Sequence, residues 1–412
     1  MTTSGAATPE TRTITTEWHP TFRLPTKITE PGRETAWTYD SLGNVTQKTL
    51  KDTATGRMRT WNTGYTYSAA VPGALLQTVE DGPRTDVADL TTTDYYAPDA
   101  TCTGGHVGCR GQIQKITHAL GQVTQITAYT AHGQPETVID PNGLTIALTY
   151  DARQRLLSYN VGGEITQFQY DPVGQLTQWI RPDNSTLSYS YDAAHRLTEI
   201  SDGLGNRIVY TLDAMGHRIQ EDVKDPSGQL ARTRRSEYDA LSRLARDIGA
   251  NNQTVQYRYD SEGNLTDRID PLNHTNSYAY DSLNRLIQSV DPANGSAQNT
   301  LDAQDRVTAV TDPRNNTTQY TYDGLNNLIR EVSPDRGAID YTYDDAGNVL
   351  TRTDARGVLH TYTYDALNRP IRRVHTPVAG VPATPNTNWT YDQGSHGLGR
   401  LTTLADESGN TV

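Results

Sequence analysis

Long hydrophobic runs are missing from this chain. No stretch approaches the roughly 20 apolar residues of a membrane-spanning helix, and the opening MTTSGAATPETRT holds no apolar h-region of the kind that directs Sec export. Phenylalanine is nearly absent, with 2 residues against 24 tyrosines, and the hydrophobic share is 34%. That composition disfavours a thick dry core and suits sheet with one modestly apolar face and one wet one. Positive charge is thin: the net charge is −12, and Arg232, Arg234 and Arg235 form the only notable basic cluster. Nucleic acid is therefore excluded as a main partner, because phosphate affinity needs a concentrated basic surface. No nucleophile elbow, phosphate loop or dinucleotide fingerprint is present. The histidines lack His-x-x-x-His or Glu-x-x-His spacing; His19, His106, His118, His132, His360, His375 and His396 each stand alone, mostly in turns. No catalytic, cofactor-binding or metal-ligating residue is assigned, and the chain reads as non-enzymatic.

What the chain does have is a period. Tyr-Asp recurs at nearly fixed intervals of 21 residues, at Tyr150-Asp151, Tyr170-Asp171, Tyr191-Asp192, Tyr238-Asp239, Tyr259-Asp260, Tyr280-Asp281, Tyr322-Asp323, Tyr343-Asp344 and Tyr364-Asp365. Tyr39-Asp40 and Tyr391-Asp392 are outliers, and Leu212-Asp213 and Leu301-Asp302 fill two empty slots. A fixed period means that one supersecondary unit is copied and stacked. Two residues before many of these tyrosines sits another aromatic: Trp37, Phe168, Tyr189, Tyr257, Tyr278, Tyr320, Tyr341, Tyr362 or Trp389. A spacing of two places both rings on one face of a strand, and Tyr, Thr and Val are strand formers.

Each unit carries two turn signals. The residue four after the first position of the repeat is Gly43, Gly174, His195, Gly216, Gly263, Asn284, Asp305, Asn326, Gly347 or Asn368, all types that tolerate positive φ; Gln154 and Ser242 break the pattern. The repeated Asp fits the start of an Asx-turn, so it reads as a turn cap and not as a calcium ligand. The second turn is marked by Asp140-Pro141-Asn142-Gly143, Asp270-Pro271-Leu272-Asn273 and Asp312-Pro313-Arg314-Asn315. Two strands and two turns fit 21 residues. The expected fold is all-β: repeated antiparallel hairpins continuing one long curled sheet, since wide twisted sheets curl.

Along the chain, residues 1–30 form a Thr-rich N-terminal segment, 31–133 hold irregular repeats with a loop at 97–111, and 134–412 hold the regular array. The sequence stops half-way through a repeat, which reads as a fragment or truncated frame and predicts self-association through an unpaired strand edge. In the inserted loop Cys102 and Cys109 enclose six residues. A disulfide between them fits an extracellular destination; two free thiols remain open, and a zinc site with His106 would have only three ligands.

The unit Tyr-Asp-x-x-Gly-Arg-Leu, matched locally by Tyr259–Leu265 (with Asn264 in the Arg slot) and Tyr280–Leu286 (with Asn284 in the Gly slot), resembles the YD repeat of bacterial rearrangement-hotspot (Rhs) proteins, and Glu17–Pro25 is similar to a run found in Rhs proteins of proteobacteria. Teneurins and the C component of insecticidal toxin complexes are similar in their YD-repeat regions. The resemblance implies a hollow spiral β-shell around a C-terminal toxin domain, delivered by a secretion apparatus and exported by a route other than Sec. Its implied partners are the rest of the shell and the toxin. Asp140–Leu144 resembles the Asp-Pro-x-Gly-Leu signature that ends such shells, but many repeats follow it here, so it reads as an ordinary turn. The competing reading is a surface module whose Tyr and Trp rings stack on glycans.

Overall fold

The computed structural model describes residues 2–3 and 12–411, so part of the N-terminal segment lies outside the described residues. It is all-β, with 37 strands and no helix among the described residues. The chain divides into two compact units: Met1–Thr145 together with Asn299–Val412, and Ile146–Gln298. Within each unit, strands next to one another in sequence pair antiparallel, as in Thr317–Tyr322 with Leu328–Ser333 or Thr186–Tyr191 with Leu197–Asp202.

Alternation shows why these segments are strands. In Thr317–Tyr322, Tyr320 and Tyr322 are half-buried while Gln319 and Thr321 are exposed. Only nine apolar side chains are buried among the described residues. Hydrophobic burial therefore comes from strand-to-strand ladders of half-covered rings and aliphatics, and hydrogen bonding carries an unusual share of the specificity.

Both turn types share one geometry. Asp323 N–H bonds to Asn327 O and Asn326 N–H bonds to Asp323 O; at the second turn Asp140 and Leu144, then Gly143 and Asp140, repeat the arrangement. The fourth residue takes positive φ in each. Gln154 (φ 68°) and Ser242 (φ 65°), which break the sequence pattern, adopt the same left-handed backbone, so the hairpin overrides residue preference there.

Pairing slips by one residue before the tyrosine: Thr321 faces Arg330 but Tyr322 faces Leu328, leaving Ile329 extra on the partner strand. The same shift precedes Tyr170, Tyr191, Tyr259, Tyr343 and Tyr364. This recurrent β-bulge, invisible to alternation alone, adds twist at every repeat.

A paired substitution checks the turn geometry. Gly263 (φ +93°) faces open space, whereas a Cβ on Gly347 (φ +93°) would lie 2.7 Å from Arg59 Nη2. Gly263→Val is expected to cost about 1–3 kcal/mol from backbone strain alone, and Gly347→Val measurably more in the same denaturant titration, because it also displaces Arg59.

Candidate functional site

The repeated Tyr-Asp assembles into a relay between neighbouring repeats. In the unit spanning 146–298, Asp151 Oδ1 accepts the N–H groups of Arg153 (2.8 Å) and Arg155 (3.0 Å), and Oδ2 accepts Arg155 Nε (2.7 Å). The cap thus reaches to the fourth residue, further than the simple Asx-turn expected. The same guanidinium donates to the Asp171 carbonyl and lies 4.5 Å above the Tyr170 ring. Tyr170 Oη in turn donates to Leu156 O at 3.0 Å. Asp239, Arg243, Tyr259 and Asp260 repeat the circuit, with Tyr259 Oη donating to Leu244 O at 2.9 Å.

Other members keep parts of it. Asp192 holds Arg196, which donates to Asp213 O; Asp213 holds His217, which stacks on Tyr238 at 4.5 Å. Asp281 pairs with Arg285, and Tyr191 Oη donates to Leu176 O. Asn264 bridges Asp260 to Asn284. In the other unit Asp302–Arg306 spans to Asp323 and Tyr322, Asp344–Asn348 to Asn368, and Asp365–Arg369 to Asp392 and Tyr391. There Tyr39, Tyr343 and Tyr364 donate to Pro25 O, Leu328 O and Val349 O. Asp40 collects Leu42 N–H, Asn44 and Tyr67 Oη.

The side chain five residues after the first position of the repeat is therefore the missing partner in the sequence reading. A signal existed: Asn44, Arg155, Arg196, His217, Arg243, Asn264, Arg285, Arg306, Asn327, Asn348 and Arg369 all hold side-chain donors. Tyr259→Phe removes one interstrand bond and leaves the ring in place. It is expected to cost about 1 kcal/mol in equilibrium unfolding.

The caps set the acid behaviour. Burial pushes the Asp40 carboxyl up, but the Tyr67 hydroxyl, the Asn44 amide and backbone N–H groups more than offset it, bringing the pKa to about 2; Asp354 reaches about 2 through Arg356 and the backbone in the same way. Asp151, Asp192 and Asp239 are also lowered. Groups with lowered folded pKa contribute stability above their unfolded value and lose it as pH falls through the folded value. Cooperative acid unfolding is expected between about pH 4 and pH 2, followed by circular dichroism. A transition complete above about pH 5 would contradict the capping role.

A second feature lies within the unit formed by Met1–Thr145 and Asn299–Val412. Turns of the later stretch meet turns and strand ends of the earlier one along a seam. Arg12 bonds to Asp305 (2.6 Å), and Gln304 Nε2 donates to Pro31 O. Gly324 sits against the Gly32 carbonyl and the fully buried Asp52, which accepts Ala54, Thr55 and Gly324 N–H groups. Buried Arg59 donates to Asn327 Oδ1 (2.7 Å) and Leu325 O, and buried Arg84 reaches Asp86, Asp344 and the Asp365 carbonyl. Further along, Thr85 bonds to Asp345, Gln122 to Asp392 and Asn142 to Leu398. Burial lowers the Arg59 pKa, while the bond to Asp86 raises that of Arg84.

Other residues singled out in the sequence are placed as follows. Cys102 and Cys109 are joined in a disulfide, buried against Tyr129 and Tyr96. His106 Nδ1 accepts the Gly108 N–H, and no group of three metal-ligating side chains occurs among the described residues. Arg232 and Arg234 are paired with Glu221 and Asp247, and Arg235 donates to Asn252, so the basic cluster is spent internally. His360 and His375 are not solitary, contrary to the sequence reading: their Nδ1 atoms lie 2.7 Å apart across a hairpin.

Comparison with known proteins agrees with this geometry. Residues 118–297 match the family Teneurin YD-shell, and residues 302–338 and 343–381 match RHS Repeat. These matches identify its repeats as YD/RHS repeats. This YD-repeat chain is 32% identical over 136 residues to "Double-stranded DNA deaminase toxin A" of Burkholderia cenocepacia, covering 32% of this chain and 9% of that protein. It is 28% identical over 178 residues to "Probable deoxyribonuclease RhsA" of Dickeya dadantii, covering 38% and 12%. The chain thus spans about a tenth of these relatives. A crystal structure of TcdB2-TccC3-Cdc42 superposes with a TM-score of 0.58 at 14% identity, over 92% of this chain and 24% of that one. The Photorhabdus luminescens Tc holotoxin pore gives 0.53 at 14%, over 94% and 23%. At such identities the likeness concerns fold alone: antiparallel β-hairpins in a long sheet, as in these Tc toxin β-shells.

Proposed function

We propose that this chain is a load-carrying wall segment of an Rhs-type shell that encloses a C-terminal toxin domain and helps deliver it, outside the cell or at its surface, as part of a larger protein. The observation that carries this reading is the seam. Arg12, Arg57, Arg59 and Arg84 each cross from the earlier stretch to turn carbonyls, carboxylates or amides of the later one. Such contacts fix the turns of one stretch on the turns and strand ends of another, and they assemble no acid, base or nucleophile around a cavity. The toxin names carried by the sequence relatives support an enclosed cargo.

The glycan reading loses its platforms. Every tyrosine is buried or half-buried, several rings are already covered by arginine, Trp61 lies under Lys48 and Trp179 under Arg181. Trp18, at 63%, is the only strongly exposed tryptophan among the described residues.

The test fuses a small nuclease domain after Val412, together with further YD repeats, and follows its digestion by protease. Enclosure is expected to slow digestion of the nuclease domain well below that of the free domain and to silence its activity until the wall is unfolded. Digestion at the free-domain rate would overturn the enclosing role. Binding of the purified chain to a bacterial glycan array would favour the surface module instead.

A further inference from the structure

The hairpin Leu359–Tyr364/Pro370–Thr376 places His360 directly opposite His375, one pair from its open end at Leu359 and Thr376. The rings meet edge-on, centroids 4.7 Å apart, with Nδ1 to Nδ1 at 2.7 Å. His360 is 8% exposed, and the Nε2 atoms of both rings are buried without hydrogen-bond partners. The segment leaving Thr376 folds over this end. Val378 packs on Gly357, Asn386 Oδ1 accepts the His375 N–H, and buried Thr387 accepts from Arg373.

At 2.7 Å one ring must donate through Nδ1–H and the other accept through its lone pair. That arrangement exists when both rings are neutral. It survives one added proton, which goes to an Nε2, and Asp354 Oδ2, 3.6 Å from His360 Nε2, offers the counter-charge. It cannot survive two, because both Nδ1 atoms would then carry hydrogens pointing at each other. The surroundings discourage the second charge further. Arg352 stands opposite His360 on the preceding strand, Arg373 lies on the partner strand, Arg356 already holds Asp354, and Glu407 is the acidic group acting on His375.

We propose that His360 and His375 form a proton-operated latch: it fastens the open end of this hairpin near neutral pH, and in mild acid it parts and releases the covering segment 377–386. Burial lowers the pKa of both histidines. Their stabilising contribution is accordingly present above the ordinary histidine value and is lost as pH falls through and below it. The latch follows from the hairpin alone and does not depend on what the wall encloses.

Hydrogen exchange of the full chain, read by mass spectrometry at about pH 7.5 and about pH 5 and corrected for intrinsic rates, tests it. Peptides covering 359–376 are expected to lose protection by about tenfold or more in acid, while the histidine-free hairpin 317–333 does not change. In His375→Phe and in His360→Phe, neither of which can hold two charges, the acid-dependent loss should shrink to the small part that one buried histidine contributes. Where phenylalanine loosens the hairpin already at neutral pH, His375→Gln, whose amide bonds to the facing ring without titrating, gives the same reading. Unchanged protection in the natural chain, or an acid response of undiminished size in either single variant, would overturn the latch.

Discussion

Gly324→Ala is expected to open the seam and destabilise its unit by about 3 kcal/mol, the upper part of the range for overpacking a closed contact. The added Cβ would stand 2.1 Å from the Gly32 carbonyl oxygen and 2.8 Å from Asp52 Oδ1, neither of which can retreat. Gly32 O accepts Thr53 N–H, and Asp52 caps its own turn through Ala54 and Thr55. The site is specific to this repeat. The same turn position holds Ala193, Ala214, Ala240, Ser261, Ser282 and Ala303 elsewhere, so a Cβ is compatible with the turn itself. The contact with the earlier stretch makes it intolerable at 324. Denaturant unfolding should show the loss, and exchange protection should fall in turns 302–305 and 323–327 while strands of 146–298 keep theirs. An alanine variant with natural stability would mean that the seam is not closed in solution.

Arg59→Met and Arg84→Met are each expected to cost about 3 kcal/mol, because removing one partner of a buried ion network leaves the others desolvated and unpaired. Arg59 lies within the field of Asp323 and Asp344, and it satisfies Asn327 Oδ1. Arg84 has a side chain only 3% exposed and approaches Asp344, itself 9% exposed. Methionine keeps the apolar stem, which limits the effect to charge and hydrogen bonding. Since both arginines act on Asp344, the loss in the double variant should depart clearly from the sum of the singles. Strict additivity, or singles within a few tenths of a kcal/mol of the natural chain, would show that these arginines are solvated and the seam is loose.

The two effects differ from those of the ladder. One ladder bond such as Tyr259 to Leu244 is local and repeated many times, so its loss is small and confined. The seam is made once, between segments almost 300 residues apart, and each of its contacts closes a long loop.

Much of the ladder was legible in sequence. A 21-residue period with Tyr and Asp in fixed slots determines hairpins, strand faces and left-handed turn positions, because each depends only on neighbours along the chain. Even Gln154 and Ser242, poor residues for the turn, take its backbone, since the flanking strands impose the register. The bulge before the tyrosine escaped alternation because it adds a residue on the partner strand without disturbing the Tyr-x-Tyr spacing.

Tertiary structure alone decided the rest. Nothing near Gly324 in sequence announces Gly32 or Asp52, and Arg59 and Arg84 read as ordinary strand and loop cations until the later repeats lie against them. His360 and His375 are 15 residues apart and meet only once the hairpin register is known. Short-range geometry is written in the repeat because its contacts recur at a fixed offset. Contacts that occur once, between distant stretches, depend on the accumulated twist of every intervening strand, and no local pattern encodes that sum.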